Sequence, residues 1–377
     1  MDLKFKNGKF RIMQIADVQD TNKTSPDTLR LLRLCLEREK PDLVVFTGDQ
    51  IKGYGFNFSY GDRKAKVKTA IDNILSVIDE AGVPFTFVFG NHDCQAFSAS
   101  KQEQLEMYKA HKNCLAYNAD DEIDGYCNHN LTVLNSEGKA GLNIYLIDSL
   151  SMSASGVCEA VKESQLNWYR ETRERLKEEN GGYVPSVVFQ HIPVPEIYEL
   201  LKEVEPNTEN SCRGYKEHDG KYFIINPEAA EINPRSFMGE TPSIPAENSG
   251  EFDAWCEKGE VVGAFFGHDH NNSFIGELNG IKLGYTQGCG FNVYGPGLRR
   301  GVRILEFYES SADFSTYTLT AEDLEDFSLA KPLKYVTYTY SPSSVDMAKP
   351  LIAKGAALAA GAALLGVGIK LLKKHNK

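Results

Sequence analysis

Short apolar runs alternate with helical patterns through the first third of the chain. Three of these runs are predicted to be buried strands: FRIMQIAD (10–17), DLVVFTGD (42–49) and PFTFVFGN (84–91). The stretch between the first two predicts a helix that opens at Ser25-Pro26, with Ser25 as its cap. A second helix is predicted over 63–81, ending at Gly82. Apolar strands separated by helices indicate parallel pairing beneath a helical layer, and so an α/β fold.

The remaining pattern adds further strands and one more helix. Strands are predicted at 142–149, 186–191, 261–268, 302–308 and 314–320, a helix near 163–179, and a hairpin over 273–288 that turns at Asn279-Gly280. Residues 204–252 are rich in Pro, Asn, Glu and Ser and are predicted to be mostly irregular. They form a plain insertion or a lid over a site, and we favour the insertion. We divide the chain into a domain at 1–320, an extended or irregular extension at 321–349, and a C-terminal helix at 350–377.

The C-terminal segment differs in composition from the rest of the chain. Its centre, GAALAAGAALLGVGI (355–369), contains no charged residue and lies between Lys354 and Lys370. Its length suits a membrane-associated helix, but its many glycines and alanines make it only weakly hydrophobic. Two alternatives therefore remain open: a membrane anchor, or a helix that docks on the protein or stays as a free tail.

Composition restricts the class of partner and the cellular compartment. The formal net charge is −11, although the last 28 residues contain five lysines and no acidic residue. Because the body of the chain repels polyanions, we expect no nucleic-acid partner. The eight cysteines form no CxxC pair and the first residues do not resemble a secretory signal. We therefore expect a cytoplasmic protein, with membrane association through 350–377 as the open alternative.

Polar side chains follow five of the predicted strands at the point where each strand ends. They are Asp17 and Gln19, then Asp49, then Asn91, His92 and Asp93, then His191, and finally His268 and His270. The carboxyl ends of parallel strands lie along one edge of a sheet, where ligands bind. Carboxylate, amide and imidazole ligands suit divalent Mn, Fe or Zn, and they are too many for one tetrahedral ion. The pattern therefore predicts two divalent metal ions, which can hold a hydroxide between them and clamp a phosphate group.

These motifs resemble a known family. The order D-x-Q, GD, GNHD, H and GHDH, over roughly residues 10–308, is similar to the calcineurin-like metallophosphoesterase family. The segments QHIPVPE (190–196), GHDHNNSF (267–274) and GCGFNVYG with the following RRGVRILEF (288–307) resemble the branch whose plant members are called purple acid phosphatase-like. The resemblance implies two β-sheets of mixed strands packed as a sandwich and flanked by helices, to which the sequence adds the apolar C-terminal helix.

The resemblance also implies a role for each strand-end residue. Asp17, Gln19 and His270 bind one metal, Asp49 bridges both, and Asn91, His191 and His268 bind the second. His92 gives a proton to the leaving oxygen, and Asp93 orients His92. The implied activity is hydrolysis of a phosphoric ester, as a phosphatase or a phosphodiesterase, with a metal-bridging hydroxide as nucleophile.

Two positions depart from the family pattern. Gln19 stands where the family often has histidine, so the first metal is expected to bind more weakly. The tyrosine ligand of true purple acid phosphatases is replaced by Lys52, and Tyr54 is out of register, so we expect no tyrosinate–iron colour.

Two arginines and two other functional classes complete the predictions. Arg299 and Arg300 follow a glycine-rich loop and are predicted either to contact substrate phosphate or to form a solvated charge cluster. The alternatives to an enzyme are a non-catalytic metal-binding scaffold and a membrane-tethered adaptor. The substrate and the oligomeric state stay open.

Overall fold

A computed structural model describes residues 2–153, 156–214 and 216–340. The predicted C-terminal helix at 350–377, and residues 341–349 of the predicted extension, lie outside the described residues. No helix in the described ranges combines the length and the apolar character needed to cross a membrane.

The described residues form sixteen strands and six α-helices. The strands are β1 (Leu3–Lys4), β2 (Lys9–Ile15), β3 (Leu43–Thr47), β4 (Phe85–Val88), β5 (His129–Leu134), β6 (Ala140–Leu146), β7 (Ser186–Phe189), β8 (Leu201–Val204), β9 (Cys212–Arg213), β10 (Tyr222–Ile225), β11 (Phe237–Met238), β12 (Val261–Phe266), β13 (Asn272–Leu278), β14 (Ile281–Tyr285), β15 (Gly301–Tyr308) and β16 (Ser311–Thr320). The helices are α1 (Pro26–Glu39), α2 (Arg63–Ala81), α3 (Lys101–Lys109), α4 (Glu163–Asn180), α5 (Glu251–Cys256) and α6 (Pro332–Thr339).

Two mixed sheets form the centre of the molecule. The strand order is β16-β15-β2-β3-β4 in the first sheet and β1-β5-β6-β7-β12-β14-β13-β11 in the second. Strands β2, β3 and β4 run parallel, as do β6, β7, β12 and β14. Strand β15 joins β2 in the antiparallel direction. The parallel pairing inferred from the apolar runs is therefore confirmed for the strands that end at the predicted site.

The alternation of side chains along the strands explains the layers. Ile12 and Val45 of the first sheet share one buried cluster with Val187 and Phe265 of the second, so the two sheets pack face to face. Their sequence neighbours point the other way. Met13 and Val44 pack with α1 and α2, while Val188 and Ala264 pack with α4 and α5. The result is a sandwich of mixed sheets with helices on its outer faces.

Several local predictions are confirmed by the structure. Helix α1 begins at Pro26, and α2 ends at Ala81 with Gly82 in the left-handed conformation (φ 68°). The hairpin of β13 and β14 turns at Asn279 and Gly280, which both have positive φ (51° and 80°). Two central residues with positive φ are what a tight hairpin turn requires, so the Asn-Gly signal was reliable.

Two other predictions need correction, and a third holds with one addition. The side chain of Ser25 does not cap α1; instead its backbone N–H donates to Asp20 Oδ2 (3.0 Å). Residues 204–252 are mostly irregular, as predicted, although β10 lies there and pairs with both β8 and β9 in a third, three-stranded sheet. Within the described part of the predicted extension, α6 forms a helix at Pro332–Thr339. Short or exposed elements of this kind carry little periodic signal, and tertiary contacts decide them.

Candidate metal centre

Sharp turns at the strand ends bring the predicted ligands together. Asp17 and Gln19 follow β2, Asp49 follows β3 and His268 follows β12, and all four have positive φ (51°, 38°, 54° and 76°). Residues other than glycine rarely adopt this left-handed backbone conformation, and those that do are concentrated at functional sites. The four turns direct their side chains to one place at the edge of the sandwich.

Two glycines make room for the cluster. A Cβ atom at Gly90 would lie 2.1 Å from Asp49 Oδ1, and one at Gly48 would lie 2.6 Å from His191 Nδ1. Both distances are far below van der Waals contact, so any side chain there would displace a predicted ligand. The glycines of the GD and GNHD motifs are therefore needed for close packing.

One half of the cluster lies at the ends of β2 and β12. His270 Nε2 lies 3.3 Å from Asp17 Oδ1. Gln19 Nε2 lies 3.0 Å from the same imidazole nitrogen and donates to Asp49 Oδ2 (2.8 Å). The first predicted ligand set, Asp17, Gln19 and His270, is thus brought together.

The other half is built around His191. Its Nε2 atom lies 3.0 Å from Asn91 Oδ1, 3.2 Å from His268 Nδ1 and 3.4 Å from Asp49 Oδ2. Asp49 therefore contacts members of both halves, which is the place that the predicted bridging carboxylate should occupy. Asp17, Asp49 and His191 also satisfy the geometry of a three-residue metal site by themselves.

The protonation of the two buried histidines fits bound cations. Nδ1 of His191 lies 2.8 Å from the carbonyl of Thr47, and Nδ1 of His270 lies 2.9 Å from the carbonyl of Tyr294. A carbonyl only accepts, so each Nδ1 carries a proton, and Nε2 is the ring nitrogen that would offer its lone pair when a cation replaces the proton there. These lone pairs face carboxylate oxygens, an arrangement that a divalent cation stabilises.

An unsatisfied acceptor points in the same direction. Among the described residues, Asp17 Oδ1 is buried without a hydrogen bond, although His270 Nε2 lies 3.3 Å away. Buried polar groups are rarely left unpaired, and an unplaced ion is one of the recognised reasons. The donor set of carboxylate, amide and imidazole suits Mn, Fe or Zn. The residues present therefore fit a site for two divalent metal ions.

The charges of the cluster are strongly coupled. Burial opposes ionisation of Asp49, but His191 and His92 hold the pKa of its carboxyl below the usual range. Burial likewise opposes charging of His191, but the carboxylates of Asp49 and Asp17 raise its pKa to about 10. Burial and the neighbouring His191 lower the pKa of His268. Cations placed among these groups compete with protons for the same lone pairs.

His92 lies at the rim of the cluster. Its side chain is 26% exposed, and its Nε2 atom lies 3.9 Å from Asp49 Oδ2. Its backbone N–H donates to Asp49 Oδ1 (2.8 Å), which ties the GNHD loop to the central carboxylate. The side chain is thus both close to the predicted metals and open to solvent, as a group that meets a substrate must be.

The prediction that Asp93 orients His92 is wrong. The carboxylate of Asp93 accepts from the backbone N–H groups of Asp49 (2.8 Å), Gly90 (2.8 Å) and Ile51 (3.0 Å). The ring of His92 instead has its Nδ1 atom 2.7 Å from Gln95 Oε1. Asp93 therefore holds the two strand-end loops together, and Gln95 positions the imidazole.

The two predicted substrate arginines lie elsewhere. Arg300 is 1% exposed. Its guanidinium donates to the carbonyls of Gly290 (2.7 Å), Val293 (2.8 Å) and Gly297 (3.0 Å), so it braces the glycine-rich loop from within. Arg299 is exposed, lies over the ring of Phe237 (5.2 Å) and approaches Glu322 (3.9 Å). The structure places neither arginine among the predicted ligands, and the solvated-cluster alternative holds only for Arg299.

Two residues that the sequence did not single out, Gln95 and Tyr294, support the site, and so does Tyr54, which the sequence placed out of register for a tyrosinate ligand. Gln95 contacts His92, as described above. The ring of Tyr294 stacks on His270 (4.2 Å between centroids), and the hydroxyl of Tyr54 lies 3.3 Å from Gln19 Oε1. Only Tyr294 lay within a segment noted for the resemblance, GCGFNVYG. Gln95 and Tyr54 sit in loops, where no periodic pattern marks a functional residue.

The residues of the cluster lie within a range that matches a known protein family. A family model described as calcineurin-like phosphoesterase matches residues 10–272, a range that holds both halves of the metal cluster. The chain belongs to the calcineurin-like phosphoesterase family. This family membership and the ligand geometry together identify the strand-end cluster as the candidate metal centre of a phosphoesterase fold.

Similar proteins place the chain within that family. It is 29% identical over 337 residues to probable inactive purple acid phosphatase 14 of Arabidopsis thaliana, covering 80% of this chain and 75% of the relative. It is 28% identical over 334 residues to probable inactive purple acid phosphatase 29 of the same plant, covering 79% and 77%. The branch resemblance seen in the sequence is therefore confirmed.

A solved structure supports the fold independently. A dimetal phosphatase from Danio rerio superposes with a TM-score of 0.50 and 15% sequence identity, covering 83% of this chain and 98% of that one. At that identity the likeness establishes the phosphoesterase fold alone.

Proposed function

We propose that this phosphoesterase-family protein hydrolyses phosphoric esters with two divalent metal ions and His92 as the proton donor. The observation that carries the proposal is the position of Asp49 Oδ2, which lies 2.8 Å from Gln19 Nε2 in one half of the cluster and 3.4 Å from His191 Nε2 in the other. One carboxylate shared between two ligand sets is the arrangement that a two-metal hydrolase uses.

The chemistry divides between the metals and the side chains of the protein. Bound at these ligands, two divalent cations would lower the pKa of the attacking water and offset the charge of the phosphate oxygens. His92 holds the proton for the leaving oxygen at Nε2, because its Nδ1 atom is engaged by Gln95 Oε1 at 2.7 Å. The hydrogen bond to Gln95 fixes both the tautomer and the orientation of the ring.

Hydrolysis of two esters that differ in their leaving group tests the proposal. Purified full-length protein loaded with Mn²⁺ should hydrolyse 4-nitrophenyl phosphate and the less reactive phenyl phosphate. His92→Ala should lose about 10²-fold or more on phenyl phosphate, whose leaving oxygen needs a proton, and less on 4-nitrophenyl phosphate.

A matched variant controls for the loss of an imidazole as such. His111 pairs with Asp79 (2.6 Å) and Asp72 (3.2 Å) of α2, outside the metal cluster. His111→Ala should leave both rates within about twofold, because His111 contacts none of the predicted ligands and its loss acts on stability. Equal losses on the two esters in His92→Ala would contradict proton donation by His92. No metal-dependent hydrolysis at all would contradict the proposed function.

A non-catalytic metal-binding protein is the second candidate. The observation that favours it is the amide side chain of Gln19, a weak metal ligand that lies against Asp49 and His270 at the place where the family often has histidine. The two Arabidopsis relatives also carry the description probable inactive. This candidate predicts that the protein binds one or two Mn²⁺ ions in a calorimetric titration but turns over neither ester, whereas the enzyme requires both binding and turnover.

A further inference from the structure

A cleft lies beside the metal cluster on the side of His92. It has a volume of about 370 Å³ and is formed by the loop after β3 and the loop after β4. The two loops pack tightly where they meet, because a Cβ atom at Gly53 would lie 2.0 Å from the carbonyl oxygen of His92. The cleft therefore adjoins the backbone of the proposed proton donor.

Two residues that line the cleft also contact the imidazole of His92. The ring of Tyr54 lies 4.4 Å from it, and Gln95 Oε1 lies 2.7 Å from its Nδ1 atom. In ester hydrolysis the proton donor stands next to the leaving oxygen. The group attached to that oxygen would consequently extend from the metal cluster past His92 into this cleft, an inference that rests on the proposed function.

Aromatic rings form much of the wall of the cleft. Tyr54, Phe58 and Phe97 line it, and Phe97 is 97% exposed to solvent. A wholly exposed phenylalanine contributes nothing to the protein core, so its apolar surface is available to a ligand. Aromatic walls favour planar rings, which stack on them or meet them edge to face.

Polar groups in the same cleft indicate what the ring would carry. The side chain of Arg63, in the first turn of α2, is exposed and lines the cleft. Among the described residues it has no ion pair, whereas the next residue, Lys64, is paired with Glu103 (2.7 Å). Ser98 also lines the cleft, but its hydroxyl is buried. The unpaired cation of Arg63 is therefore the group that suits an anionic substituent.

We propose that this cleft binds the leaving group of the substrate, and that this group is a planar aromatic ring bearing an anionic substituent. Phe97 and Tyr54 contact the ring, and Arg63 pairs with the substituent. The protein is then selective for aromatic over aliphatic phosphoesters, a preference that the metal ligands alone do not provide.

Two exposed phenylalanines offer a matched test. Phe97 lines the cleft, whereas Phe56 is 84% exposed and does not line it. With Mn²⁺-loaded full-length protein, kcat/KM is measured for phenyl phosphate and butyl phosphate. Phe97→Ala should lower the ratio of the two values about fivefold, as loss of one aromatic contact does. Phe56→Ala should leave the ratio unchanged. Because the ratio of each variant is compared with that of the parent, the intrinsic difference in reactivity between the two esters cancels.

The pairing of Arg63 with an anionic substituent on the ring is tested with a second pair of variants. Arg63→Gln should lower kcat/KM for 4-carboxyphenyl phosphate about threefold relative to phenyl phosphate, as expected for an exposed ion pair. Lys64→Gln, which removes a neighbouring charge that is already paired, should not change this ratio.

Binding without turnover separates this inference from the proposed function. Benzylphosphonate and ethylphosphonate cannot be hydrolysed at an ester oxygen, and calorimetry gives their affinities for the Mn²⁺-loaded protein. Tighter binding of benzylphosphonate that is lost in Phe97→Ala supports the cleft even if no ester is hydrolysed. The cleft does not bind the leaving group if Phe97→Ala and Phe56→Ala hydrolyse the esters with the same ratio of kcat/KM values and the protein binds the two phosphonates equally well. Hydrolysis in that case would still support the proposed function.

Discussion

Replacing Asp93 with asparagine distinguishes the structural role of this residue from the catalytic one suggested by its motif. Asp93 is 1% exposed, and its two oxygens accept from the backbone N–H groups of Asp49, Gly90 and Ile51. Burial and the charge of Asp49 raise the pKa of Asp93 and so disfavour a carboxylate at this position. The hydrogen bonds from the backbone N–H groups act in the opposite direction and favour an acceptor there. An asparagine side chain keeps one acceptor oxygen but turns an N–H group toward the remaining backbone donor.

The size of the effect follows from those contacts. Oδ2 accepts two bonds and Oδ1 accepts the bond from Ile51, so asparagine keeps two of the three and leaves at least one buried donor unsatisfied. A buried donor without a partner costs about 1–3 kcal/mol, and the two bonds that remain lose any contribution from the charge of the acceptor. We expect Asp93→Asn to lower the free energy of unfolding by about 3 kcal/mol. A domain of ordinary stability, about 5–15 kcal/mol, would still fold.

Gln95→Ala provides the complementary change. Gln95 is partly exposed and has its Oε1 atom 2.7 Å from Nδ1 of His92. Its removal should change the free energy of unfolding by less than about 1 kcal/mol, because it leaves no buried group unpaired. It should lower turnover of phenyl phosphate and shift the pH profile of kcat, because the imidazole of His92 loses the partner that fixes its proton.

Urea denaturation and hydrolysis of phenyl phosphate measure both effects. The unfolding midpoint is determined with and without Mn²⁺, and the pH profile is recorded for each variant. A structural role for Asp93 is refuted if Asp93→Asn keeps the stability of the parent within about 0.5 kcal/mol, a change typical of a neutral surface substitution, while its pH profile shifts. That result would support the role that the motif suggested, in which Asp93 orients His92.

Three further outcomes follow from the structure. Gln19→His should raise the affinity for the more weakly bound Mn²⁺ about tenfold in a calorimetric titration, because an imidazole is a better ligand than an amide; unchanged affinity would place the first metal away from Gln19. Arg300→Leu should lower the free energy of unfolding by about 3 kcal/mol, since it frees three backbone carbonyls, whereas Arg299→Leu should change it by less than about 0.5 kcal/mol; equal effects in urea denaturation would contradict the buried role. The hydrogen bond from Lys9 holds the pKa of Glu306 at about 2, below the ordinary 4.5, so its carboxylate stabilises the fold above pH 4.5 and this contribution disappears as the pH falls toward 2. Glu306→Gln should therefore lower stability by roughly 2 kcal/mol at pH 7 and have almost no effect near pH 2, as thermal unfolding at the two pH values will show.

The sequence by itself determined the parallel strands and the ligands that follow them. Runs such as FRIMQIAD and DLVVFTGD are apolar because both faces of a central strand are buried, and this pattern is local. The residue directly after such a strand lies at the sheet edge whatever the loops do. Asp17, Asp49, Asn91, His191, His268 and His270 could be placed for that reason, and the hairpin at Asn279-Gly280 was equally local.

Only the tertiary structure decided how the side chains around those ligands are used. Asp93 binds backbone groups of a loop more than forty positions earlier in the chain, and the hydroxyl of Tyr54 approaches Gln19 across 35 positions. Arg300 looked like a surface cation but is buried among carbonyls, because the loop of residues 290–297 folds around its guanidinium. Hydrogen bonds of this kind depend on which loops meet, and no periodicity along the chain encodes that meeting. The motif therefore determined which residues reach the candidate metal centre, and the packing of the loops determined which residues hold those ligands in place.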